Sequence, residues 1–131
     1  MSLLKKAQHL LTGEKAELDA SEYLKKNKLK LIQKNYRCKF GEIDLIMQDK
    51  QTLVFVEVRY RKNNQFGSGA ETITPSKQKK LIKTASYYLQ QHPPASQFSA
   101  RFDVVSMTSD TRQQNSQNES KIDWIKDAFQ A

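Results

Sequence analysis

The segment Leu53-Val54-Phe55-Val56-Glu57-Val58 constrains this chain more than any other stretch. Four consecutive apolar residues leave no polar face, so the segment reads as a strand covered on both sides. A strand of that kind sits in the middle of a sheet with a layer packed on each face, which sets the class as α/β. The run is then broken by an acid, Glu57, whose burial costs free energy unless something compensates it.

The flanking pattern fills in the layers. Ala16, Ala20, Tyr23 and Leu24 form an apolar stripe at helical spacing, predicting a helix over residues 12–27. Leu29, Leu31 and Ile32 open a first strand ending near Cys38, and Gly41 breaks the chain. Residues 43–48 and 52–60 read as a hairpin around the polar turn Asp49-Lys50-Gln51. A polar loop with Gly67 and Gly69 follows over residues 63–73. Thr74 and Pro75 then cap and open a second helix, whose apolar face is Leu81, Ile82, Ala85, Tyr88 and Leu89 and which Pro93-Pro94 ends. Residues 102–107 form a fourth strand, and 122–129 a short terminal strand or helix anchored by Trp124. Residues 1–11 are expected to be a flexible N-terminus and 108–120 a mobile polar loop. The order is α-β-β-β-α-β in one domain over residues 1–131, with a mixed sheet flanked by helices.

Composition removes several function classes. Cys38 is the one cysteine, and with His9 and His92 it cannot assemble a tetrahedral structural zinc site. The absence of an internal disulfide fits a reducing cytoplasm. Four dispersed glycines argue against a phosphate-cradling loop or a dinucleotide fingerprint. No apolar run approaches the ~18 residues of a membrane span, and the N-terminal apolar stretch is too short for a secretion signal.

The charge points to a polyanion. Lysine and arginine total 22 against 14 acids, a net +8. Lys25, Lys26, Lys28, Lys30, Lys34, Arg37 and Lys39 follow one another with no acid between them. Arg59, Arg61 and Lys62 form a second cluster, and Lys77, Lys79, Lys80 and Lys83 a third on the second helix. Three basic clusters on one small domain suit phosphates, although each alone also fits a solubilising surface. The basic stretches lack the long apolar helix face of a membrane-surface segment, so nucleic acid is the expected partner. Tyr36, Tyr60 and Phe66 interleave with these cations and could stack on unpaired bases, or serve as ordinary half-buried residues.

The acids are the chemical signal. Alternate strand residues share a face roughly 6.5–7 Å apart, so Glu57 and Arg59 point the same way. A hairpin closed through a two-residue turn at Asp49-Lys50 places Asp44 opposite Phe55 and Glu42 opposite Glu57. Three carboxylates and a guanidinium then converge on one face, an outcome that a one-residue slip would undo. A hard divalent cation is the common compensator: Mg²⁺ takes one or two carboxylates plus waters and phosphate oxygens. The same residues also fit a solvated strand end with Glu57 paired to Arg59. Lys77 is a cation in the first turn of its helix, where the macrodipole disfavours it unless an anion binds there; a snorkelling lysine fits as well. Asp103 is expected to pair with Arg101. Cys38 has no group placed to activate it.

The segments Gly41-Glu42-Ile43-Asp44-Leu45-Ile46, Phe55-Val56-Glu57-Val58-Arg59-Tyr60-Arg61, Ser76-Lys77-Gln78 and Arg101-Phe102-Asp103-Val104-Val105 resemble the YraN family of uncharacterised bacterial proteins. Gly13, Glu17 and Ala20 fit the same family, and the likeness covers nearly the whole chain. That family is similar to restriction-endonuclease-like nucleases and Holliday junction resolvases, the PD-(D/E)xK superfamily, with its α-β-β-β-α-β core. The resemblance implies Mg²⁺ or Mn²⁺ held by Asp44 and Glu57, with Glu17 completing the site and Glu42 assisting. It favours DNA as substrate, and the basic clusters put Lys34, Arg37, Lys39, Arg59, Arg61, Lys62 and Lys77 on its phosphates; junction-cleaving relatives act as dimers, which makes a second copy of the chain a candidate partner. One position departs from the superfamily: Arg59 stands where the E-x-K lysine belongs. Arginine clamps phosphate but cannot serve as a general base, which leaves Lys77 as the candidate substitute. The expected function is a metal-dependent endonuclease; the alternatives are a non-catalytic nucleic-acid-binding module and an interaction subunit with structural acids.

Overall fold

A computed structural model of the chain describes residues 2–61, 73–109 and 120–131. The elements are α1 (Ser2–Lys26), β1 (Lys30–Cys38), β2 (Gly41–Asp49), β3 (Thr52–Arg61), α2 (Pro75–Gln91), β4 (Ser99–Ser109) and β5 (Ser120–Phe129). The α-β-β-β-α-β order therefore holds, and the terminal segment resolves as a strand that extends the sheet to five. Helix α1 starts ten residues before the expected Thr12; the expected loop over 63–73 lies outside the described residues except for Ile73, and of that over 108–120 the described Thr108, Ser109 and Ser120 are strand.

The strands lie in chain order, β1-β2-β3-β4-β5. Pairing is antiparallel except between β3 and β4, which run parallel from Thr52↔Ser99 to Arg61↔Thr108. Parallel neighbours need a long crossover, and α2 supplies it. Central β3 is covered on both sides, as its apolar run requires. On one face α1 lays Ala16, Ala20 and Leu24 against Leu45, Met47, Val54, Val56, Val105 and Met107. On the other, Leu81, Ala85 and Tyr88 of α2 pack on Ile43, Ile46, Leu53, Phe55 and Phe102.

Local chemistry sets the ends. Helix α1 closes with Lys28 at φ 73, the Leu29 N–H bonding the Leu24 carbonyl and the Lys28 N–H that of Lys25, a Schellman turn that delivers buried Leu29 to the Leu24 cluster. Helix α2 begins as read: the Thr74 hydroxyl accepts the Lys77 N–H at 3.2 Å, with Pro75 in the first turn.

The hairpin register differs from the sequence reading. Asp49 pairs with Thr52, Ile46 with Phe55 and Leu45 with Val56, so the turn is Lys50-Gln51 and not Asp49-Lys50. Lys50 adopts φ 56, the left-handed conformation a tight hairpin turn demands. Asp44 is thus not opposite Phe55, and Glu42 not opposite Glu57; Glu42 pairs across β1 with Arg37. The slip is two residues, so the paired residues 45–49 and 52–56 keep their faces.

Candidate acidic site and its basic surround

The site forms where β2 and β3 part. Their ladder ends at Leu45↔Val56. In the next step of β2 the alternation breaks: Leu45 and Met47 face α1, while both Ile43 and Ile46 face α2. Half-buried Val58 lies beyond that last pair, so its N–H needs an acceptor other than the ladder. Asp44 provides it, accepting from Val58 N at 2.8 Å through Oδ2.

That position is hostile to a charge. Burial, and next the neighbouring Glu57 carboxylate, push the Asp44 pKa up to about 7, against the lowering effect of the Val58 N–H; Glu17 and Glu42 raise it further. A carboxyl this high is what burial beside a second carboxylate produces.

Glu57 follows Val56 and precedes Val58, both on the α1 side, so its side chain emerges on the α2 side. There Lys77 Nζ meets Glu57 Oε1 at 2.9 Å, the glutamate side chain only 11% exposed and the lysine 43%. This explains the cation in the first turn of α2: it is held by an acid of the sheet, with its head still half open to solvent.

Glu17 comes from α1. Its pKa is raised, by burial first, while a hydrogen bond with Asn35 and the charge of Lys34 lower it and Glu42 and Glu14 raise it. It bears on Asp44 through space. Arg59 lies on the Glu57 side of β3 by alternation and has no ion pair among the described residues. Arg37 pairs with Glu42 at 2.9 Å in the open, and Lys34 and Lys39 are exposed on the β1 side. Arg61 ends β3; Lys62 and Phe66 lie outside the described residues. The fold thus draws Asp44, Glu57 and Lys77 into one site, with Glu17 and Glu42 as electrostatic neighbours.

Among the described residues, no three His, Cys, Asp or Glu side chains converge closely enough to enclose a metal ion by themselves. The donor set is two acids, one of them held short of full ionisation at neutral pH. That fits a hard, oxygen-seeking cation of the Mg²⁺ kind, which keeps several waters and takes remaining ligands from a phosphate. It does not fit zinc of the structural kind.

The structure decides one aromatic alternative and adds a residue. Tyr36 is buried, edge-on against Tyr88 at 5.1 Å, and is core. Phe40, not singled out by the sequence reading, is 40% exposed and packs on Tyr87; the available signal was an aromatic placed directly before a turn glycine. Asp103 does pair with Arg101, and it does more. It takes Arg101 Nε at 3.0 Å, Trp124 Nε1 at 2.9 Å and the Asp127 N–H at 2.9 Å, while Arg101 also reaches Asp49. Asp103 is a structural tie between β4 and β5.

Fold and site together define a small mixed α/β domain with an acid pair and a lysine at the opening of its central hairpin. Uncharacterised protein family UPF0102 matches residues 16–107, and the chain belongs to that family, in line with the YraN resemblance. A UPF0102 protein of Nitrosococcus oceani is 47% identical over 126 residues, covering 96% of this chain and 97% of the relative. One of Coxiella burnetii is 48% identical over 118 residues, 90% and 91% of the two chains. One of Francisella tularensis subsp. novicida is 42% identical over 123 residues, 93% and 97%. No helix among the described residues is long and apolar enough to cross a membrane.

Proposed function

We propose that this protein is a metal-dependent phosphodiesterase acting on nucleic acid, with DNA as the expected substrate. The observation that carries the reading is Asp44, a carboxyl held up at about 7 beside Glu57 with only a backbone N–H to oppose the shift. An acid pair under that tension gains most from a divalent cation. Asp44 and Glu57 would hold it, with Glu17 acting on the pair through space.

Bound there, Mg²⁺ or Mn²⁺ would supply an activated water and neutralise charge building on a phosphodiester. The protein's own groups do the rest. Lys77, half exposed at the edge of the acid pair, is the candidate substitute for the superfamily's strand lysine and would meet the phosphate as a point charge. Arg59, on the same face and one step along β3, clamps a phosphate oxygen pair. Lys34, Arg37, Lys39 and Arg61 extend the positive surface along the backbone of the substrate.

The test is cleavage of labelled single-stranded, duplex, flap and four-way-junction DNA at low salt with Mg²⁺ or Mn²⁺. Wild type should cut and Asp44→Ala should not, while binding is kept. Equal cutting by both would refute the assignment. A second reading, a binding module without catalysis, is favoured by one observation, arginine at position 59 in place of lysine. It predicts salt-sensitive binding, log K falling about 0.9 per phosphate neutralised on duplex DNA, and no metal-dependent product.

A further inference from the structure

Beyond the acid pair, the turn between β1 and β2 presents an aromatic surface that the hydrolytic chemistry does not use. Phe40 is 40% exposed at that turn. Its ring meets Tyr87 of α2 with centroids 5.8 Å apart and planes at 66°. Lys39 Nζ hangs over both rings, 5.2 Å from Phe40 and 5.9 Å from Tyr87. The two rings and the ammonium form one grouped surface beside the turn.

The turn is fixed rather than loose. Gly41 has φ 151, and a Cβ placed there would come within 3.1 Å of the Thr84 hydroxyl of α2. That hydroxyl is itself committed to the Lys80 carbonyl at 2.7 Å. The close approach of Gly41 to α2 seats Phe40 against Tyr87.

The platform is also continuous with the acidic site. Lys77, Lys80, Thr84 and Tyr87 recur at i, i+3, i+7 and i+10 and so lie along one side of α2. The helix contains Lys77, Lys79, Lys80 and Lys83 and no acid. Lys77 touches Glu57 at one end of this stripe; Tyr87 touches Phe40 at the other, about 15 Å along the helix. The acid closest to the turn in sequence, Glu42, is taken up by Arg37.

We infer that the Phe40–Tyr87 pair is a stacking platform for an unpaired base of the nucleic acid, a few nucleotides from the phosphate engaged at Asp44 and Glu57. Every base has a π-face, so a platform of this type accepts any sequence and requires only that the base be unpaired. The lysines of α2 follow the backbone between the two points. Lys39 yields the ring face to the base and turns its ammonium to the adjoining phosphate. The proposal rests on the nucleic-acid reading above and adds to it a substrate class: single-stranded or frayed rather than fully paired.

The experiment separates the two ideas by measuring binding without metal. Anisotropy of labelled oligodeoxythymidylate and of a blunt duplex is followed in EDTA for wild type, Phe40→Ala, Phe40→Leu and Phe40→Trp, each checked for an unchanged melting profile. Leucine keeps the apolar bulk and loses the π-face. Phe40→Ala and Phe40→Leu should lose roughly tenfold on the single strand and under about twofold on the duplex. Phe40→Trp should bind like wild type, its indole fluorescence quenched by the stacked base. Full single-strand affinity in Phe40→Leu, or equal losses on both DNAs, would overturn the platform. Wild type that cleaves with Mg²⁺ while Phe40→Ala binds normally would overturn the platform alone. Phe40-dependent binding with no cleavage would keep the platform and remove the hydrolase. Binding to neither DNA would overturn both.

Discussion

Replacing Asp44 by asparagine should make the metal-free protein more stable above neutral pH, against the usual result of altering a buried polar residue. In the unfolded chain Asp44 ionises near 3.8, and in the fold near 7. Between those values the folded state binds the extra proton, so this residue's contribution to stability is intact below about pH 4. It is lost as pH rises through 7. A shift of about three pH units corresponds to roughly 4 kcal/mol, an upper bound on the penalty carried at pH 8. Asparagine removes the charge that Glu57, Glu17 and Glu42 oppose and keeps an oxygen to accept the Val58 N–H. Urea titrations in EDTA at several pH values would read the difference. The variant should exceed wild type by about 2–4 kcal/mol at pH 8, on the order of 10 °C in melting temperature, and converge with it toward pH 4. Saturating Mg²⁺ should close the gap from the wild-type side, about 2.7 kcal/mol at a hundredfold excess over Kd. A variant less stable than wild type at pH 8, with no convergence on acidification, would refute the idea that Asp44 is a strained acid awaiting a cation.

Three further outcomes are expected. Lys77→Met should lower the rate of metal-dependent cleavage at saturating DNA by roughly a hundredfold, the scale of losing one charge aimed at a reacting phosphate, and weaken binding by one phosphate contact; an unchanged rate would remove Lys77 from the chemistry. Asp103→Ala strips the partner from Arg101, Trp124 and the Asp127 N–H and should cost about 3–5 kcal/mol by denaturant unfolding, so a loss under about 1 kcal/mol would refute the tie. Gly41→Ala combines a left-handed φ with contact to the Thr84 hydroxyl and should cost about 1–3 kcal/mol in a thermal melt; a neutral result would show that the turn is not pinned to α2.

What the sequence determined by itself was the layering and the faces. The apolar run of β3 admits only a covered central strand, because a residue with no polar side has nowhere to meet water. The stripe of α1 and the cap of α2 follow from local periodicity and from backbone donors that need acceptors, and both elements formed as read, apart from the start of α1. The side on which Glu57 lies was likewise set by alternation, which a register change of two residues cannot alter. Tertiary structure decided what alternation leaves open. Whether the hairpin turns at Asp49-Lys50 or Lys50-Gln51 depends on which residue tolerates positive φ while both flanking strands bury their apolar sets, a sum over the whole sheet. The β2–β3 ladder ends at Leu45↔Val56, and only the packed layers reveal that the Val58 N–H beyond it is answered by the Asp44 carboxylate. Lys77 meets Glu57, and Phe40 meets Tyr87, across separations in sequence that no local pattern spans. Those meetings exist because a right-length crossover lays α2 back over β2 and β3, bringing a lysine to one end of the sheet's acid pair and an aromatic ring to the turn beyond it.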